Sequence, residues 1–245
     1  MKQGIFTVKD NAALSPRLSR LRLLGDSSAI SRPGQFVSLS LPGFFLRRPF
    51  SVCDWDASGF SILYEQVGRG TAAMLGLQPG DRLDVLTGLG NGFDLSLSGS
   101  APLLIGGGSG VSPLLGLARR LMGEGRHPQV LLGFASREEV VLLKDFRLLG
   151  LSPIVCTVDG SFGLKGLVTG PLAGLSPSYF YACGPEPMLR AVSEASKADG
   201  ELSFDARMGC GFGVCMGCTR LTADGPKRVC RDGPVFRKEE LLWED

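Results

Sequence analysis

Ala101-Pro-Leu-Leu-Ile-Gly106-Gly-Gly-Ser-Gly110-Val-Ser-Pro113-Leu-Leu-Gly-Leu-Ala118 is an uncharged stretch that approaches the length of a membrane span. Its centre argues against that use. Gly106, Gly107, Gly108 and Gly110 suit a strand that ends at Ile105 and turns tightly. Pro113 then fits the first helical turn, where its missing N–H costs nothing. A strand, a glycine turn and a helix make the opening of a βαβ unit. The glycines let backbone approach a diphosphate, and the free N–H groups and helix dipole favour its charge.

The rhythm beyond this stretch is the same. Leu114–Met122 reads as the helix, ending near Gly123, and Val130–Phe134 as the next strand. Glu138–Leu149 has helical spacing, Pro153–Val158 and Tyr179–Cys183 read as strands, and Pro187–Lys197 as a further helix. Strands alternating with helices predict an α/β domain with a parallel sheet over residues 99–203.

Upstream, residues 1–98 are β-rich. Ile5–Val8, Leu18–Leu24, Gln35–Leu41, Phe50–Cys53, Phe60–Glu65 and Arg82–Thr87 are short apolar or alternating runs separated by turn residues. They predict a small antiparallel barrel or sandwich, with a brief helix after Thr71. Residues 204–245 are too short and too rich in Gly and Cys to build an apolar core, and need a staple.

The cysteines supply it. Seven is an odd count, and Cys210, Cys215, Cys218 and Cys230 crowd into the final region. Without an export signal such a cluster points to metal rather than disulfides. Cys210-Gly-Phe-Gly-Val-Cys215-Met-Gly-Cys218, with Cys230 beyond an eleven-residue gap, has the C-x4-C-x2-C…C spacing of plant-type 2Fe–2S ligation. The interspersed glycines allow backbone N–H groups to approach cluster sulfurs. The competing reading is structural zinc, which usually shows two C-x2-C pairs.

Further candidates are local. Tyr181-Ala-Cys183-Gly184-Pro185 ends a strand with small residues that leave room for a flat ring. Arg48-Pro49-Phe50-Ser51 joins a fixed positive charge to a hydroxyl that can bond a heterocycle. Leu63-Tyr64-Glu65 offers a stacking face with a polar edge, and Gly70-Thr71 a phosphate seat.

Composition narrows the classes. Of 245 residues 44% are hydrophobic, and 26 basic and 24 acidic side chains are scattered along the chain. That excludes disorder and the clustered basic face of a nucleic-acid binder. Met1–Asn11 has no apolar signal-peptide region, so a soluble, cytoplasmic protein is expected.

Taken together these residues resemble the ferredoxin–NADP reductase superfamily, and within it the electron-transfer subunits of type B dihydroorotate dehydrogenases. The resemblance runs over the whole chain, in the order FAD barrel, nicotinamide domain, cluster loop. Arg48-Pro49-Phe50-Ser51 matches the Arg-Pro-x-Ser flavin motif; Leu63-Tyr64-Glu65 and Gly70-Thr71 fall at the further FAD contacts. Gly106–Gly110 and Cys183-Gly184-Pro185 match the nicotinamide-domain signatures, and Cys230-Arg-Asp-Gly-Pro-Val-Phe236 the subunit's ending. The resemblance implies FAD, a 2Fe–2S cluster and NAD as substrate, with Ser51 beside the reactive flavin nitrogen and Cys183 beside the nicotinamide. It also implies an FMN-containing dihydroorotate-oxidising partner in a heterotetramer of two plus two, serving pyrimidine biosynthesis. Arg137 after the second strand of the nucleotide domain could hold a 2′-phosphate, whereas Glu138 and Glu139 disfavour one, so the residues leave NAD and NADP open. Two rival functions stand: a reductase subunit of a sulfide dehydrogenase, transhydrogenase or hydrogenase, and a zinc-stabilised nucleotide-sensing module.

Overall fold

The computed structural model describes residues 1–243. β1 (Lys2–Ala13), β2 (Leu18–Leu24), β3 (Phe36–Ser40), β4 (Arg48–Asp56), β5 (Gly59–Glu65) and β6 (Arg82–Leu89) close into an antiparallel barrel in the order β1-β2-β5-β4-β3-β6. The short α1 (Arg69–Met74) bridges β5 and β6. Alternation decides which side chains fill the barrel: Leu21, Leu23, Ile62 and Tyr64 point inward to Phe6, Val37 and Val85. The odd face of the same strands, at Leu18 and Leu63, packs outward against the second domain.

That domain comprises β7 (Pro102–Gly107), α2 (Ser112–Gly123), β8 (Gln129–Phe134), α3 (Leu143–Leu148), β9 (Ile154–Thr157), β10 (Leu164–Lys165), α4 (Thr169–Leu172), β11 (Tyr179–Cys183), α5 (Glu186–Ala195) and β12 (Gly200–Ser203). All six residues of β7 are buried, as a central parallel strand covered on both faces requires. Beyond it lie the hairpin β13 (Thr219–Thr222) and β14 (Gly225–Arg228), and then β15 (Val235–Arg237). The sheet has seven strands in the order β10-β9-β8-β7-β11-β12-β15, and only β15 runs antiparallel to its neighbour.

The helix expected over Glu138–Leu149 is broken. Arg137–Glu139 is a single 3-10 turn, Leu142 takes φ 59°, and α3 starts only at Leu143. Val141 and Leu142, both buried at 4% exposure, lie in the break between the turn and the helix.

α2 joins the two domains. A Cβ at Gly116 would stand 2.9 Å from the Cys53 carbonyl oxygen, so the helix lies directly on β4. Arg119 pairs with Asp54 at 2.8 Å, and the Arg120 guanidinium covers the Trp55 ring at 4.2 Å.

The C-terminal region departs most from expectation, because it does reach an apolar core. Val229, Phe236 and Leu241 are buried with Phe180, Leu189 and Leu202 of the sheet domain. β15 pairs with β12 through Ser203–Val235, Leu202–Phe236 and Glu201–Arg237, and the Phe204 N–H donates to the Pro234 carbonyl at 3.0 Å. Asn91, in the link between domains, completes the edge. Its side chain donates to the Val235 carbonyl at 2.8 Å and accepts from the Val235 N–H at 3.1 Å, while its own N–H donates to the Gly233 carbonyl at 2.7 Å.

Asn91→Ala therefore strands both backbone groups of Val235. We expect a loss of about 1–3 kcal/mol, read as a lower urea midpoint, together with earlier proteolytic cutting near residues 228–234. An unchanged midpoint would show that water replaces the amide without cost.

Candidate active site and metal centre

A cleft of ≈ 290 Å³ opens between the barrel and the sheet domain. β4 contributes Pro49, Phe50 and Ser51 to it; β5 contributes Leu63, Tyr64 and Glu65; Thr71 comes from α1. Gly110 and Cys183 line the opposite wall. Residues far apart in sequence thus face one space, at the carboxyl ends of β7 and β11, where open α/β sheets bind ligands.

The individual side chains differ in what they can still offer. The Tyr64 hydroxyl is already spent, donating to Asn11 at 2.9 Å, so Tyr64 presents a ring rather than a polar edge. Thr71 uses its hydroxyl to accept the N–H groups of Val67 and Gly68 at 3.0 and 3.2 Å, which caps α1. Arg47 is tied to Asp84 at 2.6 Å, whereas Arg48 lies over the Phe44 ring at 5.1 Å. A Cβ at Gly70 would meet Arg48 Nε at 2.7 Å, so Arg48 and the Gly70-Thr71 turn form one corner, a seat for a phosphate.

The two glycine turns are packed against each other. A Cβ at Gly110 would lie 2.5 Å from the Cys183 carbonyl oxygen, and one at Gly107 only 2.4 Å from Met188 Sδ. Gly107 and Gly110 serve that contact. Gly108 is the position with φ 53° and nothing within 4 Å of a Cβ, so it faces open space. Gly107, Gly108, Gly110, Gly184 and Pro185 border a second cavity of ≈ 240 Å³. Gly107, Gly108 and Pro185 also border a third, of ≈ 390 Å³, over the ends of β7 and β8. Gly106 lies behind the turn, against Val111 and Leu114, and lines none of the three.

Ser112 Oγ is buried in the cleft with only the weak Cys53 thiol as a neighbouring partner, a polar atom that a bound heterocycle could satisfy. Burial pushes the Cys183 thiol well above its usual range, and the nearby Asp205 charge adds to this, so Cys183 stays neutral. Asp205 is exposed to the cleft, and desolvation by the protein packed around it raises its carboxyl. Phe204 and Asp205 border all three spaces described so far except the one over β8, and with Ala206 they also border a ≈ 330 Å³ hollow beside Cys218. Sequence reading missed Phe204, Asp205 and Ser112. Ser112 sits inside the quoted glycine motif, but Phe204 and Asp205 follow β12, a strand too short to show a pattern.

The cysteine loop brings its thiols together as two pairs. Val214 and Cys215 N–H groups donate to Cys210 Sγ at 3.3 and 3.4 Å, and Cys210 N–H to Cys215 Sγ at 3.5 Å. Cys230 N–H donates to Cys218 Sγ at 3.4 Å. Among the described residues no three His, Cys, Asp or Glu side chains converge as a single metal ion would need. Two thiol pairs with backbone donors to sulfur suit a two-iron cluster, which takes two thiolates on each iron. Cys218 and Cys230 are buried, Cys215 is exposed, and Phe212, Val214 and Met216 form an exposed apolar rim. Burial raises the Cys210 thiol, but the N–H groups of Cys215, Phe212 and Val214 outweigh it and bring it to about 6. Cys230 is pushed up to about 12, by burial first and then by the Cys218 thiol.

Comparison with known proteins fits this geometry. The family profile for the iron–sulfur cluster binding domain of dihydroorotate dehydrogenase B matches residues 205–242. The chain is 40% identical over 251 aligned positions to the dihydroorotate dehydrogenase B (NAD(+)) electron transfer subunit of Geobacillus thermodenitrificans, covering 97% of each chain. It is 37% identical to the subunit of the same name from Fusobacterium nucleatum, over 100% of both. A structure of an NADH-dependent reduced ferredoxin-NADP oxidoreductase, described for flavin-based electron bifurcation, superposes with a TM-score of 0.88 at 26% identity, over 98% of this chain and 90% of that one. A ferredoxin NADP+ reductase from Neisseria gonorrhoeae shares the fold at a TM-score of 0.69 and 19% identity, over 80% of this chain and 90% of that one.

The thiol environments give a pH test on protein stripped of metal. Cys210 is depressed below the ordinary thiol value, so its ionisation stabilises the fold fully above pH 9, and that gain is lost as pH falls through about 6. Iodoacetamide labelling followed by mass spectrometry should give a half-maximal rate at Cys210 near pH 6, with Cys53 and Cys183 labelled only after denaturation. A Cys210 profile centred near 9 would remove the backbone donors from this account.

Proposed function

The chain belongs to the family of dihydroorotate dehydrogenase B electron transfer subunits, and on that basis we propose that it passes electrons from the FMN of a dihydroorotate-oxidising partner to NAD+. The path uses a 2Fe–2S cluster held by Cys210, Cys215, Cys218 and Cys230, and an FAD in the ≈ 290 Å³ cleft. The observation that carries this reading is a shared wall. Phe204, Asp205 and Ala206 border the flavin cleft on one side and the hollow beside Cys218 on the other. The same three residues would then lie between the two redox sites.

FAD supplies hydride exchange with a nicotinamide and single-electron exchange with the cluster. The protein's part is to position and to insulate. Arg48 and the Gly70-Thr71 turn hold the FAD diphosphate, Tyr64 and Leu63 support the ring system, and the Ser51 hydroxyl bonds its edge. Gly108 leaves room for the dinucleotide, and Gly184 and Pro185 for its nicotinamide half. Cys183, kept neutral by burial, fills the nicotinamide side without adding a charge. Ser51 and Cys183 position the reacting rings and move no proton. Phe50 and Phe204 give the cleft part of its apolar lining.

The apolar rim of Phe212, Val214 and Met216 around exposed Cys215 is the face offered to the FMN-containing partner, in an assembly of two catalytic and two electron-transfer subunits. Among the described residues no helix is long and apolar enough to cross a membrane. Four thiols kept for metal favour a cytoplasmic location. NAD rather than NADP is the nucleotide: Glu139 borders the ≈ 390 Å³ cavity, while the Arg137 guanidinium is drawn over the Phe162 ring at 5.5 Å.

Cys215→Ser should lose the cluster's visible and EPR signals, with iron and sulfide content falling while FAD stays bound. Mixed with the dihydroorotate-oxidising subunit, the wild-type protein should give dihydroorotate-dependent NAD+ reduction and the variant should not. Unchanged iron and sulfide would overturn the ligand assignment. A wild-type complex that leaves NAD+ untouched would favour a reductase subunit serving another dehydrogenase.

A further inference from the structure

The nucleotide site lacks a cation. The charged residues bordering the ≈ 240 Å³ cavity are Glu65, Glu186 and Asp205, and Glu139 is the charged residue bordering the ≈ 390 Å³ cavity. Among the described residues that line either space there is no lysine, arginine or histidine. A dinucleotide occupying both would place a doubly charged diphosphate among four carboxylates. The partial charge at the start of α2, roughly half an elementary charge, is too small to balance it.

Two arginines stand at the rim, each already on a carboxylate. Arg220 meets Glu186 at 2.7 Å, but it is wedged 4.1 Å over the Phe204 ring and its side chain is only 17% exposed. It is fixed in place. Arg17, from the β1–β2 connection, pairs with Glu65 and lies 3.7 Å from Glu139 with 65% of its side chain exposed. Glu65 borders the ≈ 240 Å³ cavity as well as the ≈ 290 Å³ cleft, Glu139 borders the ≈ 390 Å³ cavity, and the ≈ 240 and ≈ 390 Å³ cavities share Gly107, Gly108 and Pro185. Arg17 itself lines neither cavity, but its pairs hold it between one bordering carboxylate of each, so a ligand spanning both would pass beside its partners. An exposed arginine–carboxylate pair is weak, whereas a guanidinium–phosphate contact is charge-assisted and can be bidentate.

We propose that Arg17 is the diphosphate-binding residue of the dinucleotide site, exchanging Glu65 and Glu139 for the ligand, with Glu139 as its competitor. The inference rests on the reading of this cleft as a dinucleotide site. It makes the site a product of both domains, because the counter-charge comes from the barrel and the glycine turn from the sheet.

The test is calorimetric titration of the cofactor-loaded complex with ADP-ribose and NAD+, with adenosine as the probe lacking a diphosphate. Arg17→Gln should raise the ADP-ribose Kd about tenfold and flatten its ionic-strength dependence, leaving adenosine binding, flavin absorbance and the cluster EPR signal as they were. Arg17→Lys should fall between, keeping the charge without the fork. Glu139→Gln should act in the opposite sense, tightening ADP-ribose about two- to fivefold. If Arg17 merely tethers the domains, both variants break the same pair and shift binding the same way, which overturns the proposal. So does an unchanged Kd in Arg17→Gln while wild-type binding is intact. A wild-type complex that binds neither ADP-ribose nor NAD+ overturns the dinucleotide reading itself, and the role of Arg17 with it.

Discussion

The antiparallel pairing of β15 on β12 is the constraint on which the site depends. A sheet edge leaves unpaired N–H and C=O groups that must find partners. Here the partner is the chain's own tail, which returns after the cysteine loop, so pairing three residues fixes everything between them. The 206–234 excursion is thereby pinned at both ends, at Phe204 and at Pro234, which bond each other at 3.0 Å. Asn91 adds a bond pair to Val235 from the interdomain link. The barrel, the sheet and the cysteine lobe meet at this one edge. A small lobe that could not fold alone borrows the core of its neighbour instead, through Val229, Phe236 and Leu241.

Pinning the tail has a consequence for the redox geometry. The residues that leave β12 cannot wander, so Phe204, Asp205 and Ala206 become a wall between the barrel–sheet cleft and the cysteine loop. Arg220 stiffens that wall from the cluster side, lying 4.1 Å over Phe204 and 5.5 Å over Trp243 while bonding Glu186 at the start of α5. Glu186 follows Cys183-Gly184-Pro185, so one arginine connects the cysteine lobe to the turn after β11. Charge is otherwise kept out of the wall, apart from the Asp205 carboxyl.

The glycine turns show the same economy of space. Tight contact between the β7 and β11 turns excludes any Cβ at Gly107 and Gly110, which brings Cys183 to the cleft between barrel and sheet. Gly108 alone is turned outward. Three adjacent glycines therefore have three separate reasons: Gly106 packs against α2, Gly107 against Met188, and Gly108 opens to ligand.

What could be read from sequence was whatever depends on near neighbours. The strands of the barrel follow their alternation, β2 over Leu18–Leu24 without a residue's difference, and the cysteine spacing is itself the ligand geometry of a tight loop. The Glu138–Leu149 helix is interrupted at Leu142, whose φ of 59° is a left-handed backbone state that apolar spacing does not reveal. β12 and β15 were invisible because four and three residues are too few to show a period, and their pairing partner lies across the whole cysteine lobe. The polar roles were hidden for a related reason. In the sequence Tyr64 offers a stacking face with a polar edge and Gly70-Thr71 a phosphate seat, and only the meeting with Asn11 and with the Val67–Gly68 backbone shows that both hydroxyls are engaged, leaving the Tyr64 ring and the turn itself. Conversely Arg17 stands in a turn with no motif around it. Its meaning comes from Glu65 on the barrel and Glu139 on the sheet domain, two carboxylates that are brought within reach of one guanidinium by the packing of α2 on β4. A charge acts through space, and the sequence records only its order along the chain.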